Sequence, residues 1–429
     1  MKAVFLTAGA AGMYCGSCMH DNAIARAMIA QGVDCLLQPV YTPIRTDEIS
    51  VASDEVFFGG IQIYLLQQMP WLRFVPGPLR RTLDWPPLLR WATGRTHSTD
   101  AAKLGDLAVS MLRGEQGRQA SEVKRLAHWL ADDIRPDAVL LSNLLIGGSL
   151  PAIRSALPNT RLAVMLQGDD IFLDFLPPKQ RQQAIELCQE LVPSVDRFIV
   201  HSQFYADKMQ RMLNIPDHQL VVTPLSIDVA PFAETITPLP KPADEFRLGY
   251  LARIAPEKGL HHLVDAFTRL AADDEHHDMT LHAAGWLGGN HQTYLDDLHA
   301  KIEQASLSHR FTYHGSPSLS EKIAYLSSLD LLCVPTDYED PKGLFVLEAL
   351  AAGVPVLQPD HGAFGELITS TGGGQTYRPG NLDDLIRAIE DTKRNPQQRS
   401  QWAKAGYDAV HQRHSVQQSA ADLAKILFD

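Results

Sequence analysis

The stretch PTDYEDPKGLFVLEALAAGVPVLQPDHG, residues 335–362, decides the fold. It begins where an apolar run, LDLLCV at 329–334, reads as a buried strand. An acidic, proline-containing loop follows, then a short helix over 344–352. Gly353 stops that helix, and Pro355 leads into the next apolar strand. A strand, loop and helix in a parallel sheet point the helix N-terminus at the edge where such sheets bind ligands. The free N–H groups and partial positive charge there suit phosphate or sugar oxygens. Two carboxylates, Asp340 in the loop and Glu348 on the helix, bracket this N-terminus eight positions apart.

Outward from this stretch, the same rhythm runs through most of the chain. Strands are predicted at 246–250, 279–284, 310–313, 330–334, 355–358 and 375–377, with helices at 258–271, 291–305, 319–328, 344–352 and 381–393 between or after them. An earlier series has strands at 2–8, 33–39, 137–141, 161–166, 197–201 and 219–223. Residues 229–245 hold four prolines and no apolar periodicity, so they read as a linker. The chain is therefore α/β: two Rossmann-like, doubly wound parallel-sheet domains, 1–228 and 246–410, on either side of a cleft. A final helix within 411–429 could cross back to the first domain. With 429 residues, two hydrophobic cores are the expectation.

The net charge of −12 excludes a general nucleic-acid binder, which carries a basic footprint. No apolar run is long enough to span a bilayer. The opening MKAVFLTAGAAG reads as a first strand and not as a signal peptide, and five cysteines without an even framework point to a reducing cytoplasm. Residues 50–118 interrupt the alternation as an insertion. Within it, 61–95 carry Trp71, Phe74, Trp85 and Trp91 with five arginines against one acid. That segment reads first as an inserted helical pair packing its aromatics inward; the alternative is a peripheral contact with an anionic membrane surface.

Chemistry gathers at a few places. In RLGYLARIAPEKGLHHLVDAF, Arg253 and Lys258 flank a helix start, where two cations suit a diphosphate leaving group. Gly12 and Gly16 follow the first strand, where they allow close backbone approach to a ligand, but their spacing is not that of a dinucleotide fingerprint. Cys15 and Cys18 lack a second cysteine pair, so a zinc site is not read here. The His261-His262 and His276-His277 pairs read as surface residues. Trp286 lines a base pocket or packs a loop.

The G-x-L-x-R-x-x-x-E-K-G pattern at 249–259, with Asp340-x7-Glu348 and the following ALAAGVPV at 349–356, resembles the GT-B glycosyltransferases of family 4, glycosyl transferases group 1. The resemblance implies retaining transfer from a nucleotide-diphosphate sugar (UDP-, GDP- or ADP-linked) to a sugar, lipid or small-molecule hydroxyl. It implies no bound cofactor or metal. By position it implies that Glu348 binds the ribose, Asp340 contacts the donor sugar, and the Gly343 and Leu344 amides meet sugar or phosphate oxygens. Arg253 and Lys258 would hold the diphosphate, and Gln167 and Asp169 would face the acceptor. Four places depart from the family pattern: the first acid is an aspartate, Lys342 replaces an aromatic, Gln167 stands near a usual histidine, and VVTPLSID at 221–228 lacks the usual Asn-Gly. An epimerase or phosphorylase of the same fold, or a nucleotide-sugar-binding protein with little turnover, are the alternative readings.

Overall fold

The computed structural model describes residues 1–9, 16–44, 46–53, 56–58, 101–234 and 236–429, with the side chains of 101–104 excluded. Gly12, Cys15 and the aromatic, arginine-rich segment 61–95 lie outside the described residues. The chain divides into two compact units: Met1–His201 with Tyr205–Thr223 and Ala420–Asp429, and Ser202–Phe204 with Pro224–Ser419.

In the first unit, strands β1 (Lys2–Thr7), β2 (Asp34–Pro39), β3 (Ala138–Leu141), β4 (Arg161–Met165), β5 (Arg197–Val200) and β6 (Leu220–Val222) form a parallel sheet in the order β2-β1-β3-β4-β5-β6. These strands are short apolar runs such as AVLL because helices cover both sheet faces, so alternation with polar residues has no use. The second unit contains β7 (Phe246–Leu251), β8 (Met279–Ala284), β9 (Phe311–Tyr313), β10 (Leu331–Cys333), β11 (Val356–Pro359) and β12 (Gly374–Tyr377). Their order is β12-β11-β10-β7-β8-β9, again all parallel. Counted from β7, this is the doubly wound arrangement in which strand order reverses between the first and fourth strands. The loops after β7 and β10 therefore leave the sheet side by side at its ligand-binding edge.

Local sequence explains how these elements fit. A Cβ on Gly249 in β7 would lie 2.1 Å from Leu329, so the strand needs glycine for that leucine to pack. Helix Leu344–Ala351 is apolar on nearly every side, and Phe345, Val346, Leu347, Ala349, Leu350 and Ala351 are all buried. Gly353 takes a positive φ of 74° just after it, a conformation that glycine adopts cheaply. The segment 229–245 is held to the second unit: Phe232 is buried in its core, and the Leu239 N–H donates to the Ala324 carbonyl at 3.2 Å. Helices Ala101–Leu112, Asp169–Asp174, Ala230–Ala233 and Phe364–Thr371 have no counterpart in the sequence reading. The described residues contain no helix long and apolar enough to cross a membrane.

Candidate functional site

The loop after β10 is organised by Asp340. Its Oδ1 accepts the backbone N–H groups of Lys342 at 3.0 Å and Gly343 at 3.1 Å, which shapes the entry to helix Leu344–Ala351. Its Oδ2 accepts from Lys258 Nζ at 3.0 Å and from the Tyr338 hydroxyl at 3.1 Å. Burial alone would raise this carboxyl's pKa, but the Lys258 ammonium, the Lys342 amide and the Lys342 charge outweigh it and hold the pKa at about 2. Asp340 is thus a buried, permanently ionised hub.

Lys258 reaches this hub from the turn after β7. Its ammonium also donates to the Tyr338 hydroxyl and lies 4.8 Å from the centre of the Tyr338 ring. The next residue, Gly259, has φ 75° and opens helix Leu260–Leu270. A Cβ on Gly259 would sit 1.7 Å from the Pro335 carbonyl oxygen, so only glycine lets the two loops meet this closely. Arg253 pairs with Glu257 at 3.3 Å while its side chain stays 38% exposed, which leaves the guanidinium accessible to a ligand. Arg253, Lys258 and Asp340 therefore stand on neighbouring loops at the point where strand order reverses.

Glu348 lies on the helix whose entry Asp340 shapes, and its Oε1 accepts from Lys322 Nζ at 2.6 Å. Lys322 is itself buried. Gly343 has φ 82°, and its N–H is committed to Asp340. This amide therefore helps shape the loop. Leu344 is the first residue of the helix, as expected. The loop's far end is closed by residues the sequence reading missed. A Cβ on Gly362, φ 61°, would lie 2.5 Å from the Asp340 carbonyl oxygen, and the Ala363 N–H donates to that same oxygen at 2.9 Å. Tyr338 and Lys322 were also missed. The available signal was Lys322 itself, a cation beside Ile323 on the buried side of an amphipathic helix.

In the first unit, Gly16 opens helix Gly16–Ala30. Gln167 and Asp169, expected to face an acceptor, are both buried and turned into the fold. Gln167 Nε2 donates to Asp21 Oδ1 at 2.8 Å and to the Ser142 carbonyl at 3.1 Å. Asp21 Oδ2 accepts from Thr7 Oγ1 at 2.8 Å. Asp169 accepts the N–H groups of Leu144 at 2.6 Å and Gln167 at 3.0 Å. Burial pushes its pKa up to about 6, although those amides pull the other way. Both side chains satisfy buried backbone or side-chain groups where β1, β3 and β4 end. Gly168, between them, has φ 114°.

His276 is likewise not a surface residue: it is 1% exposed, with Nε2 3.1 Å from Glu390 Oε1. Cys18, Cys35, Cys188 and Cys333 form no disulfide among the described residues.

Residues 232–409 match the family described as glycosyl transferases group 1. The second unit holds a glycosyl transferases group 1 domain. Over 217 residues the chain is 30% identical to glycogen synthase of Mycobacterium tuberculosis, covering 50% of each protein. It spans about half the length of the curated relatives it first matches. Likeness of fold extends further. Sucrose-phosphate synthase from Thermosynechococcus elongatus superposes with a TM-score of 0.72 at 16% identity, covering 100% of this chain and 99% of that one. Anabaena HepE in complex with UDP gives 0.68 at 17% identity, with 100% and 99% covered. The group 1 domain and its partner unit thus share the GT-B fold, two Rossmann-like α/β units, as the motifs imply.

Proposed function

We propose that this chain is a retaining glycosyltransferase that moves a sugar from a nucleotide-diphosphate sugar to an acceptor hydroxyl without a metal. The observation that carries the reading is the convergence of the loops bearing Arg253, Lys258 and Asp340, with the helix entry that Asp340 shapes, at the strand-order reversal of a group 1 domain. On this reading Arg253 binds the diphosphate through two parallel N–H bonds, and Lys258 supplies a point charge. Both stabilise the negative charge that grows as the sugar leaves. Glu348, partnered by Lys322, accepts from the ribose hydroxyls. Asp340 acts by holding Lys258 and the helix entry in place. The acceptor oxygen bonds to the anomeric carbon as the bond to the leaving phosphate breaks, on the same face, and that phosphate takes the acceptor's proton. Gln167 and Asp169 act as positioning residues for the loop after β4.

The nucleotide bound by HepE makes UDP the first candidate, with GDP and ADP as competitors. A cytoplasmic location is part of the same proposal, and peripheral membrane contact through 61–95 falls on residues outside the description. The test is calorimetry with UDP, GDP and ADP, followed by an assay of nucleotide release from the matching sugar donors with sugar and lipid acceptors. Tight binding of one nucleotide and acceptor-dependent release are expected. Binding without release under any acceptor supports a sensor, and binding of none overturns the proposal.

A further inference from the structure

Among the described residues, His261, His262 and Asp337 bring one potential ligand atom each to within 4.8 Å of one another. Two features of the fold hold them there. The histidines occupy the first turn of helix Leu260–Leu270, directly after Gly259. Asp337 lies in the loop after β10, and its N–H donates to the Glu257 carbonyl at 3.1 Å, tying that loop to the turn before the helix.

The donor geometry is built rather than incidental. The Tyr294 hydroxyl lies 3.0 Å from His261 Nδ1 and accepts the His261 backbone N–H at 3.0 Å, fixing the ring from behind. With Nδ1–H donated to the Tyr294 oxygen, Nε2 is left for an incoming ligand, the arrangement common to metal-binding histidines. His262 Nε2 is 2.7 Å from Asp337 Oδ1, and the two imidazole rings are 3.9 Å apart between centres. A His262–Asp337 pair accounts for two of the three groups, whereas a shared cation accounts for all of them and for the Tyr294 brace. The side chains of His262 and Asp337 are 36% and 50% exposed, so an ion enters directly from solvent.

We propose that His261, His262 and Asp337 form a three-ligand site for a zinc-class divalent cation on the second unit. Two imidazoles and one carboxylate favour zinc and its late first-row neighbours over magnesium or calcium, which prefer all-oxygen shells. Around a tetrahedral ion bound at ~2.1 Å, ligand atoms stand ~3.4 Å apart. Small rotations of three partly exposed side chains reach that spacing. The fourth position is open to water.

The ion would join the start of helix Leu260–Leu270 to the loop that carries Tyr338 and Asp340, both of which bond Lys258. Cation binding would therefore stiffen the loop that organises the ammonium. This second consequence rests on the function proposed above; the cation site does not.

The experiment is calorimetry of zinc chloride, nickel chloride and magnesium chloride against the full chain after chelator treatment. His261→Ala, His262→Gln, Asp337→Asn and Tyr294→Phe are measured alongside, with thermal melts to show that each is folded. One zinc equivalent is expected, absent for magnesium, and weakened about tenfold or more by each ligand substitution. Zinc binding that is missing, or that is equal in parent and ligand variants, overturns the site. A UDP titration with and without zinc then separates the two ideas. Tighter UDP binding with zinc supports the coupling, and unchanged UDP affinity overturns the coupling alone. Failure to bind UDP or any other nucleotide counts against the proposed function and leaves the cation result standing.

Discussion

Lys258 Nζ lies 3.0 Å from Asp340 Oδ2, and the two side chains are only 12% and 9% exposed. They come from loops that follow β7 and β10, so this ion pair fastens together the two segments on which the proposed chemistry depends. Removing either partner has different consequences, because Asp340 keeps three other donors and Lys258 does not keep another anion among those described at this hub.

Asp340→Asn leaves a largely buried ammonium without its counter-charge and disturbs the helix entry. A loss of about 3 kcal/mol in unfolding free energy is expected, as for buried pairs that lose one member. Lys258→Met is expected to cost less, since the carboxylate retains two backbone N–H groups and the Tyr338 hydroxyl. Urea unfolding of both variants gives the order, and a larger loss for Lys258→Met would show that Asp340 is not the organising member.

Arg253→Ala tests the leaving-group role separately from stability, because the side chain is 38% exposed and paired only with Glu257 in the described contacts. Turnover is expected to fall about 100-fold or more, with a much smaller loss of donor affinity. Single-turnover kinetics and nucleotide calorimetry make the comparison; small equal effects on both count against the role.

Gly259→Ala is expected to displace the loop after β10. The added Cβ meets the Pro335 carbonyl at 1.7 Å, and φ 75° strains any residue with a side chain. The backbone conformation alone costs about 1–2 kcal/mol, and the clash adds to it. Gly289→Ala, where a Cβ meets nothing within 4 Å, is the control. Thermal melting of the pair should separate them clearly.

Acid should weaken the second unit through His282. Burial, Arg247 and His314 push its pKa down from 6.5 to about 4, with Glu245 opposing them. His282 Nδ1 lies 2.9 Å from His314 Nε2, and His314 is lowered too, first by burial and then by Arg247. The unfolded chain binds more protons than the folded one between pH 6.5 and about 4, so stability rises with pH across that window and is lost on acidification. Asp169 in the first unit has the opposite sign: its raised pKa of about 6 makes stability fall as pH rises from 3.8. Hydrogen exchange at β8 amides, not a global melt, is therefore the proper readout. Protection should drop from pH 6.5 to 4.5, and His282→Gln should flatten the drop.

All twelve described strands fall within or beside the segments read as strands, and most are apolar runs because parallel strands covered on both faces leave a continuous hydrophobic trace; the edge strand β12, GQTY, is the exception. Arg253, Lys258, Asp340 and Glu348 stand out in the sequence by their spacing. Their partners do not. Lys322 meets Glu348 across 26 positions and Asp21 meets Gln167 across 146, distances over which no local pattern operates. The buried partners of Gln167 and Asp169 were hidden for the same reason, since a polar residue after a strand looks alike whether it faces solvent or satisfies a buried amide. Helix Asp169–Asp174 is too short for periodicity to declare itself. His276 was placed on the surface because the Glu390 that accompanies it lies 114 positions away.

The carboxylate of Asp340 never diffuses away from the ammonium it faces. Under the proposed reaction, a spent nucleoside diphosphate must therefore share Lys258 with a tethered rival that never leaves, which weakens its hold on the ammonium. Such an incumbent anion favours quick product exit and a low sensitivity to stray phosphate, so the same side chain that arms the site also clears it.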